Sequence, residues 1–142
     1  MRVLIIILLG CCSVVALSTH AENITGKWRT IDDETGKAKS IVEIYEEGGK
    51  YYGRVLDLLL KPDDTLCDKC KDDLHNKTVV GMVILSDMQK EGDEYNSGEI
   101  LDPAKGNFYR CKMWLEDGNL QVRGYIAFLY RTQTWYRIDN NS

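Results

Sequence analysis

The chain has 142 residues, 44% of them hydrophobic and 28% charged, with a formal net charge of −4. That is enough chain for one domain with its own core. An acidic chain without a block of Lys or Arg is a poor nucleic-acid binder, because neutralising phosphate dominates that affinity, and it is equally a poor candidate for anionic membrane surfaces.

The chain opens on Met1-Arg2, a minimal basic start, followed by an almost wholly apolar run over 3–17. Ser18-Thr19-His20-Ala21 then offers small residues at the −3 and −1 positions of a cut after Ala21. This is the layout of a secretory signal peptide. The apolar run, about 15 residues, falls short of the ~20 a helix needs to cross a bilayer. Two alternatives are an uncleaved anchor and lipidation at Cys11, since Leu8-Leu9-Gly10-Cys11 looks like a bacterial lipobox. Cleavage divides the chain into a signal peptide, 1–21, and a single domain, 22–142, with no transmembrane segment left. It removes one of the 18 basic residues and none of the 22 acidic ones, so the exported domain carries a net charge of −5. The expected location is periplasmic or secreted.

Turn signals then recur at strand-like spacing. Asp33-Glu34-Thr35-Gly36 separates predicted strands at 24–32 and 39–47. Gly48-Gly49 leads into 50–59, and a Gly-Gly pair supplies the positive φ angles of a tight hairpin. After the long segment 60–78 come 79–88, then 94–101 beyond a turn at Gly92, and 107–116 beyond Asp102-Pro103. Asp117-Gly118, a strong two-residue hairpin signal, leads into 119–128, and 132–139 closes the set. No segment sustains a 3.6-residue apolar period, so no long helix is expected.

Eight sequential strands with short hairpins predict an all-β, antiparallel, up-and-down eight-stranded barrel, whose closure removes unpaired edges. A two-sheet sandwich is the alternative. In a meander, alternate loops share an end. The turn at 33–36, the long segment 60–78, the Pro103 turn and the corner at 129–131 therefore form one rim, the natural mouth. The Gly48-Gly49 and Asp117-Gly118 hairpins share the other.

Gly26-Lys27-Trp28 at the first strand is similar to the Gly-x-Trp signature of the lipocalin (calycin) superfamily. The resemblance implies that Trp28 closes the narrow end and that an Arg of the last strand, Arg137 here, packs across it by a cation–π contact. A second resemblance spans nearly the whole exported chain. Gly26-Lys27-Trp28 with Ile31-Asp32-Asp33, Gly81-Met82, Ile100-Leu101-Asp102-Pro103, Trp114-Leu115-Glu116-Asp117-Gly118, Val122-Arg123-Gly124-Tyr125 and Arg131-Thr132-Gln133-Thr134-Trp135 resemble the bacterial exported family catalogued as domain of unknown function 2147. That resemblance implies a lipocalin-like barrel and bacterial export, and it carries over no catalytic or ligand residues.

Cys67-Asp68-Lys69-Cys70 lies in the long rim segment. In an oxidising compartment the two cysteines are expected to form a local disulfide. A redox site would need a lowered thiolate pKa, which the surrounding Asp63, Asp64, Asp68, Asp72 and Asp73 oppose. A zinc site from Cys67, Cys70 and His75 lacks a second Cys/His pair, so no metal and no cofactor is expected. Cys111, on the apolar face of its strand, reads as a buried free thiol. The acids at 32–34 and 63–73 sit in turns, where solvated carboxylates are usual, and no catalytic constellation can be assigned.

The strands are rich in aromatics, and inward-facing Tyr hydroxyls need hydrogen-bond partners. The main expectation is a non-enzymatic exported barrel binding a small hydrophobic or amphipathic ligand, with Tyr51, Tyr109, Met113, Val122 and Tyr136 as wall residues. The alternatives are an envelope protein-interaction module with a filled barrel and an outer patch of Trp114, Tyr125 and Trp135, or a thiol or zinc site at the Cys67–Cys70 loop.

Overall fold

The computed structural model describes residues 23–139, so the expected signal segment 1–21 lies outside the described residues. Eight strands follow in order: β1 (Gly26–Ile31), β2 (Ala38–Glu47), β3 (Lys50–Leu58), β4 (Val83–Glu91), β5 (Glu94–Asp102), β6 (Asn107–Glu116), β7 (Asn119–Ile126) and β8 (Leu129–Ile138). Each pairs antiparallel with the next, and β1 pairs with β8, closing an up-and-down barrel in sequence order. Closure, and not a two-sheet sandwich, is the outcome. The Gly48-Gly49 and Asp117-Gly118 turns place both residues at positive φ, the twist-matched geometry of a two-residue hairpin.

Two strands begin well away from where the sequence reading placed them. β8 begins at Leu129, because the chain reverses at Ala127-Phe128 with Ala127 at φ 52°. An alanine carries no turn signal, so the sequence reading set this corner later, at 129–131. β4 begins at Val83, not residue 79. Val79 and Met82 belong to the long segment, where the Met82 backbone N–H donates to Val79 O and the Gly81 N–H to Val55 O.

The long segment does not hang free at the rim. Leu101 pairs across from exposed Phe108 and so faces outward, yet it is only 2% exposed. Its cover is the segment itself, whose Cys67, Cys70, Val79 and Met82 are buried in the same apolar cluster. The contact with the β5–β6 turn is close: the Cys67 sulfur lies 3.3 Å from Pro103 O, and a Cβ on Gly106 would collide with the Lys69 carbonyl. The loop is thus a second apolar layer on the outer wall, which accounts for the double-sided apolar pattern near 79–85.

Inside, the closed end is filled. Trp28, Ile44, Met88, Met113, Leu120 and Trp135 are all essentially inaccessible. Inward glycines make room for their neighbours, with Leu85 packed over Gly53 and Met88 over Gly98. Ile24 seals this end, its carbonyl accepting the Trp28 indole N–H at 2.8 Å. Arg137 lies over the Trp28 ring, its guanidinium carbon 4.2 Å from the centroid, and donates to Thr25 O and Asn23 O at 3.2 and 2.6 Å. One side chain thereby ties the barrel seam to the segment that plugs it.

Candidate functional site

The mouth end of the interior has a different character. Thr30 and Ser40 face each other across β1 and β2, both buried, with their hydroxyls 2.7 Å apart. Ile100 and Tyr109 are cross-strand partners on the inner face, half-buried, and both lie within 4 Å of where a Gly124 side chain would begin. Across β7 and β8, Val122 faces Gln133 and Gly124 faces Arg131. Gly124, Tyr109, Ile100 and the β8 polar groups thus line the mouth end of the interior, the basin.

Those polar groups form a chain. The Trp135 indole N–H donates to Gln133 Oε1 at 3.2 Å, and Gln133 Nε2 donates to Asp33 Oδ2 at 2.8 Å. Arg131 reaches the same carboxylate oxygen at 3.5 Å. The β1–β2 turn that carries Asp33 is itself held by Asp32, whose carboxylate accepts from the Glu34 and Thr35 amides and the Thr35 hydroxyl. These bonds, led by the Thr35 amide, hold the Asp32 carboxyl below its usual range. A fixed turn thus positions one carboxylate over the mouth. The basin combines aromatic and aliphatic walls with a few oriented donors and acceptors.

The expected wall residues separate. Tyr109 lines the mouth basin. Val122 and Met113 face inward but are buried below it. Tyr51 sits at the closed end, edge-on to Tyr95 with centroids 4.9 Å apart, and burial pushes its hydroxyl pKa up. Tyr136 does not face the interior: it is 39% exposed on the outer wall, because buried Trp135 takes the inward phase of β8. For the same reason Trp135 cannot belong to an outer patch with Trp114 and Tyr125. The outer wall instead carries Arg123 between Trp114 and Tyr130, 4.8 and 4.2 Å from their ring centres. Beside it a depression of about 290 Å³ is lined by Asp93, Glu94, Lys112, Trp114, Leu115 and Arg123. Of its charges, Lys112 pairs with Glu94 at 3.0 Å and Arg123 is held in the stack. Asp33, Arg131 and Gln133 were not among the expected site residues. The signal for Gln133 was its shared face with Trp135 and Arg137.

Cys67 and Cys70 form a disulfide, with Cα atoms 5.3 Å apart. Both sulfurs are consumed, so the zinc alternative loses two of its three ligands in this state, and His75 instead places Nδ1 3.0 Å from Cys70 O. Among the described residues no cluster of three or more His, Cys, Asp or Glu side chains could hold a metal. Cys111 is a buried thiol whose pKa burial pushes up to about 12, which makes it unreactive at neutral pH. Replacing both Cys67 and Cys70 by Ser is expected to leave the barrel folded at a cost of about 2 kcal/mol, the chain-entropy value for so short a loop. Urea unfolding with intact-mass analysis checks this. A loss of all cooperative unfolding would mean that the outer layer is needed for the barrel to close.

Among comparisons with known proteins, a family model described as "Uncharacterized protein conserved in bacteria (DUF2147)" matches residues 26–137. Among solved structures, protein HP1028 from the human pathogen Helicobacter pylori, described as belonging to the lipocalin family, matches with a TM-score of 0.74. The two are 22% identical over 83% of this chain and 84% of that one, a likeness that speaks to the fold alone. No curated protein matches the sequence.

Proposed function

We propose, from the premise that the chain belongs to this bacterial DUF2147 family, that it is an exported barrel binding one small, partly apolar molecule at its mouth. The reading rests on one observation: the interior is packed solid at the Trp28 end and changes to half-buried Tyr109, Ile100 and Gln133 around Gly124 at the other. The oriented Asp33–Gln133–Trp135 chain at that level supports the reading, since it sets polar groups where the packed end has apolar ones. The lipocalin-like fold agrees with a ligand-binding role, since an eight-stranded barrel is just wide enough for side chains or one small ligand. Export is supported by the leader-like segment 1–21 and by the Cys67–Cys70 disulfide, which persists in oxidising compartments.

Gly124→Leu tests the site directly. Space for a first carbon exists, with Tyr109 Cβ at 3.6 Å and Ile100 Cγ2 at 3.8 Å, so the strand tolerates the change while the rest of the side chain fills the basin. With anilinonaphthalene sulfonate as the probe, the native protein is expected to show saturable one-to-one binding. The variant should bind on the order of tenfold more weakly or worse, a loss of about 1.4 kcal/mol or more, because the leucine occupies the room the dye would take, with its melting temperature little changed. Equal dye binding by a folded variant would remove the mouth as the site.

A further inference from the structure

The depression on the outer wall lies away from the mouth. Glu94, Trp114 and Gln121 are cross-strand neighbours on β5, β6 and β7, beside the β4–β5 and β6–β7 turns of the closed end. Its volume of about 290 Å³ is at the small end of ligand sites, which run from roughly 300 Å³ upward. The Trp114 ring is half-buried and held by two neighbours. The Arg123 guanidinium carbon lies 4.8 Å from its centre, and its N–H donates to Glu116 Oε2 at 3.4 Å. A ring fixed in this way gives up little freedom when a ligand packs on it.

The polar groups around the ring are balanced in charge and open to a ligand. Asp93 and Glu94 offset Lys112 and Arg123, so the lining carries no net charge. Among the described residues the Asp93 carboxylate has no hydrogen-bond or ion-pair partner, and Glu94 uses one oxygen, on Lys112. Arg123 donates its Nε–H to Thr132 Oγ1 at 2.8 Å, which leaves its terminal N–H groups without an acceptor among the described residues. Open acceptors and open donors therefore stand side by side around one aromatic ring. Zero net charge gives little hold on a phosphate or an ammonium ion. A peptide adding as a strand needs a free sheet edge, and the closed barrel has none. Trp114 and Leu115 alone offer too little apolar surface for a lipid chain.

We propose that this depression is a carbohydrate site that takes one neutral sugar unit of a glycan. A pyranose has apolar C–H faces and a rim of hydroxyls that both donate and accept. Its C–H face packs on the Trp114 indole. Its hydroxyls donate to Asp93 and to the free oxygen of Glu94, and they accept from the terminal N–H groups of Arg123. Hydrogen bonds to ionised partners are the stronger ones, and none of these requires an existing contact to break. A zwitterion such as a free amino acid fits less well. Its carboxylate needs a cation of its own, and Lys112 is already on Glu94 while Arg123 is held in its stack. The site stands on the outer wall at the end opposite the mouth, so it does not depend on what the basin holds.

The test is isothermal titration calorimetry of the whole protein with maltotriose, cellotriose and chitotriose, which are neutral glycans. Saturable binding of at least one of them is expected, little changed by added salt because the ligand has no charge to screen. Trp114→Ala should weaken that binding about tenfold or more, while Trp114→Phe, which keeps a ring, should retain most of it. Asp93→Ala should weaken it about fivefold. These side chains stand on the outer wall, so each variant should melt close to the native protein. Gly124→Leu, which alters only the mouth, should bind the sugar as the native protein does. Sugar binding that a folded Trp114→Ala leaves unchanged would overturn the proposal, and so would binding of none of the glycans. Displacement of the sugar by glycine betaine would overturn it too, since the site would then be one for zwitterions.

Discussion

Replacing Trp28 by Ala is expected to destabilise the protein by about 3–5 kcal/mol, the cost of losing a large buried aromatic. Trp28 is fully inaccessible and joins the segment before β1 to the last strand. Its N–H holds Ile24 over the closed end, its ring carries Arg137, and its backbone pairs with Arg137 at the seam that closes the sheet. The cavity left by Ala would therefore undercut the plug and the seam together. Arg137→Ala should cost less, because the cation lies near the surface and the Asn23 and Thr25 carbonyls can turn to water. A double-mutant cycle by urea denaturation should give a coupling of about 0.5–2 kcal/mol, the range of a cation–π contact. Strictly additive effects would contradict a direct interaction.

Gly98→Ala should be nearly as damaging, roughly 3 kcal/mol or more, although it adds one methyl group. Asp87 on β4 and Ser97 on β5 both take positive φ, and the β5–β6 register shifts between Tyr95 and Gly98. These irregularities press Gly98 against β4. A Cβ there would strike the Ser86 carbonyl oxygen and stand 2.8 Å from the Met88 amide nitrogen. Backbone atoms cannot swing aside as a side-chain end can, so the strands must separate. Gly53→Ala is the informative control: its Cβ would meet Leu85 Cβ at 3.0 Å and Val42 Cγ1 at 3.2 Å, tight contacts but with no backbone atom in the way. A smaller loss at Gly98 than at Gly53 in thermal melts would contradict this reading of the β4–β5 contact.

The barrel was legible because its hairpins are written in turn chemistry. Gly48-Gly49 and Asp117-Gly118 need positive φ, and loop parity then sorted mouth from closed end. The Ala127-Phe128 reversal was not legible, since alanine at positive φ is imposed by the paired strands on either side and not by its own preference. The outer layer over Leu101 was hidden for another reason: burial by a loop leaves no periodic pattern. The placement of Tyr136 inside and Trp135 outside conflicted with Arg137 packing across Trp28. Strand side chains alternate, so an inward Arg137 requires Trp135 and Gln133 to point inward and Tyr136 outward. Applying that period along β8 would have brought Gln133 to the mouth. Asp33 was beyond reach, because a turn carboxylate looks solvated until the partner strand that caps it is known.

Whether the mouth basin holds a small molecule in an exported protein is read most directly by native mass spectrometry of protein drawn from its own cell envelope. The expected species is a chain beginning at Glu22, two hydrogens light for the Cys67–Cys70 bond, carrying one small-molecule adduct that is absent from Gly124→Leu prepared in the same way. An adduct of equal abundance on both proteins, or a bare mass for the native one, would contradict it.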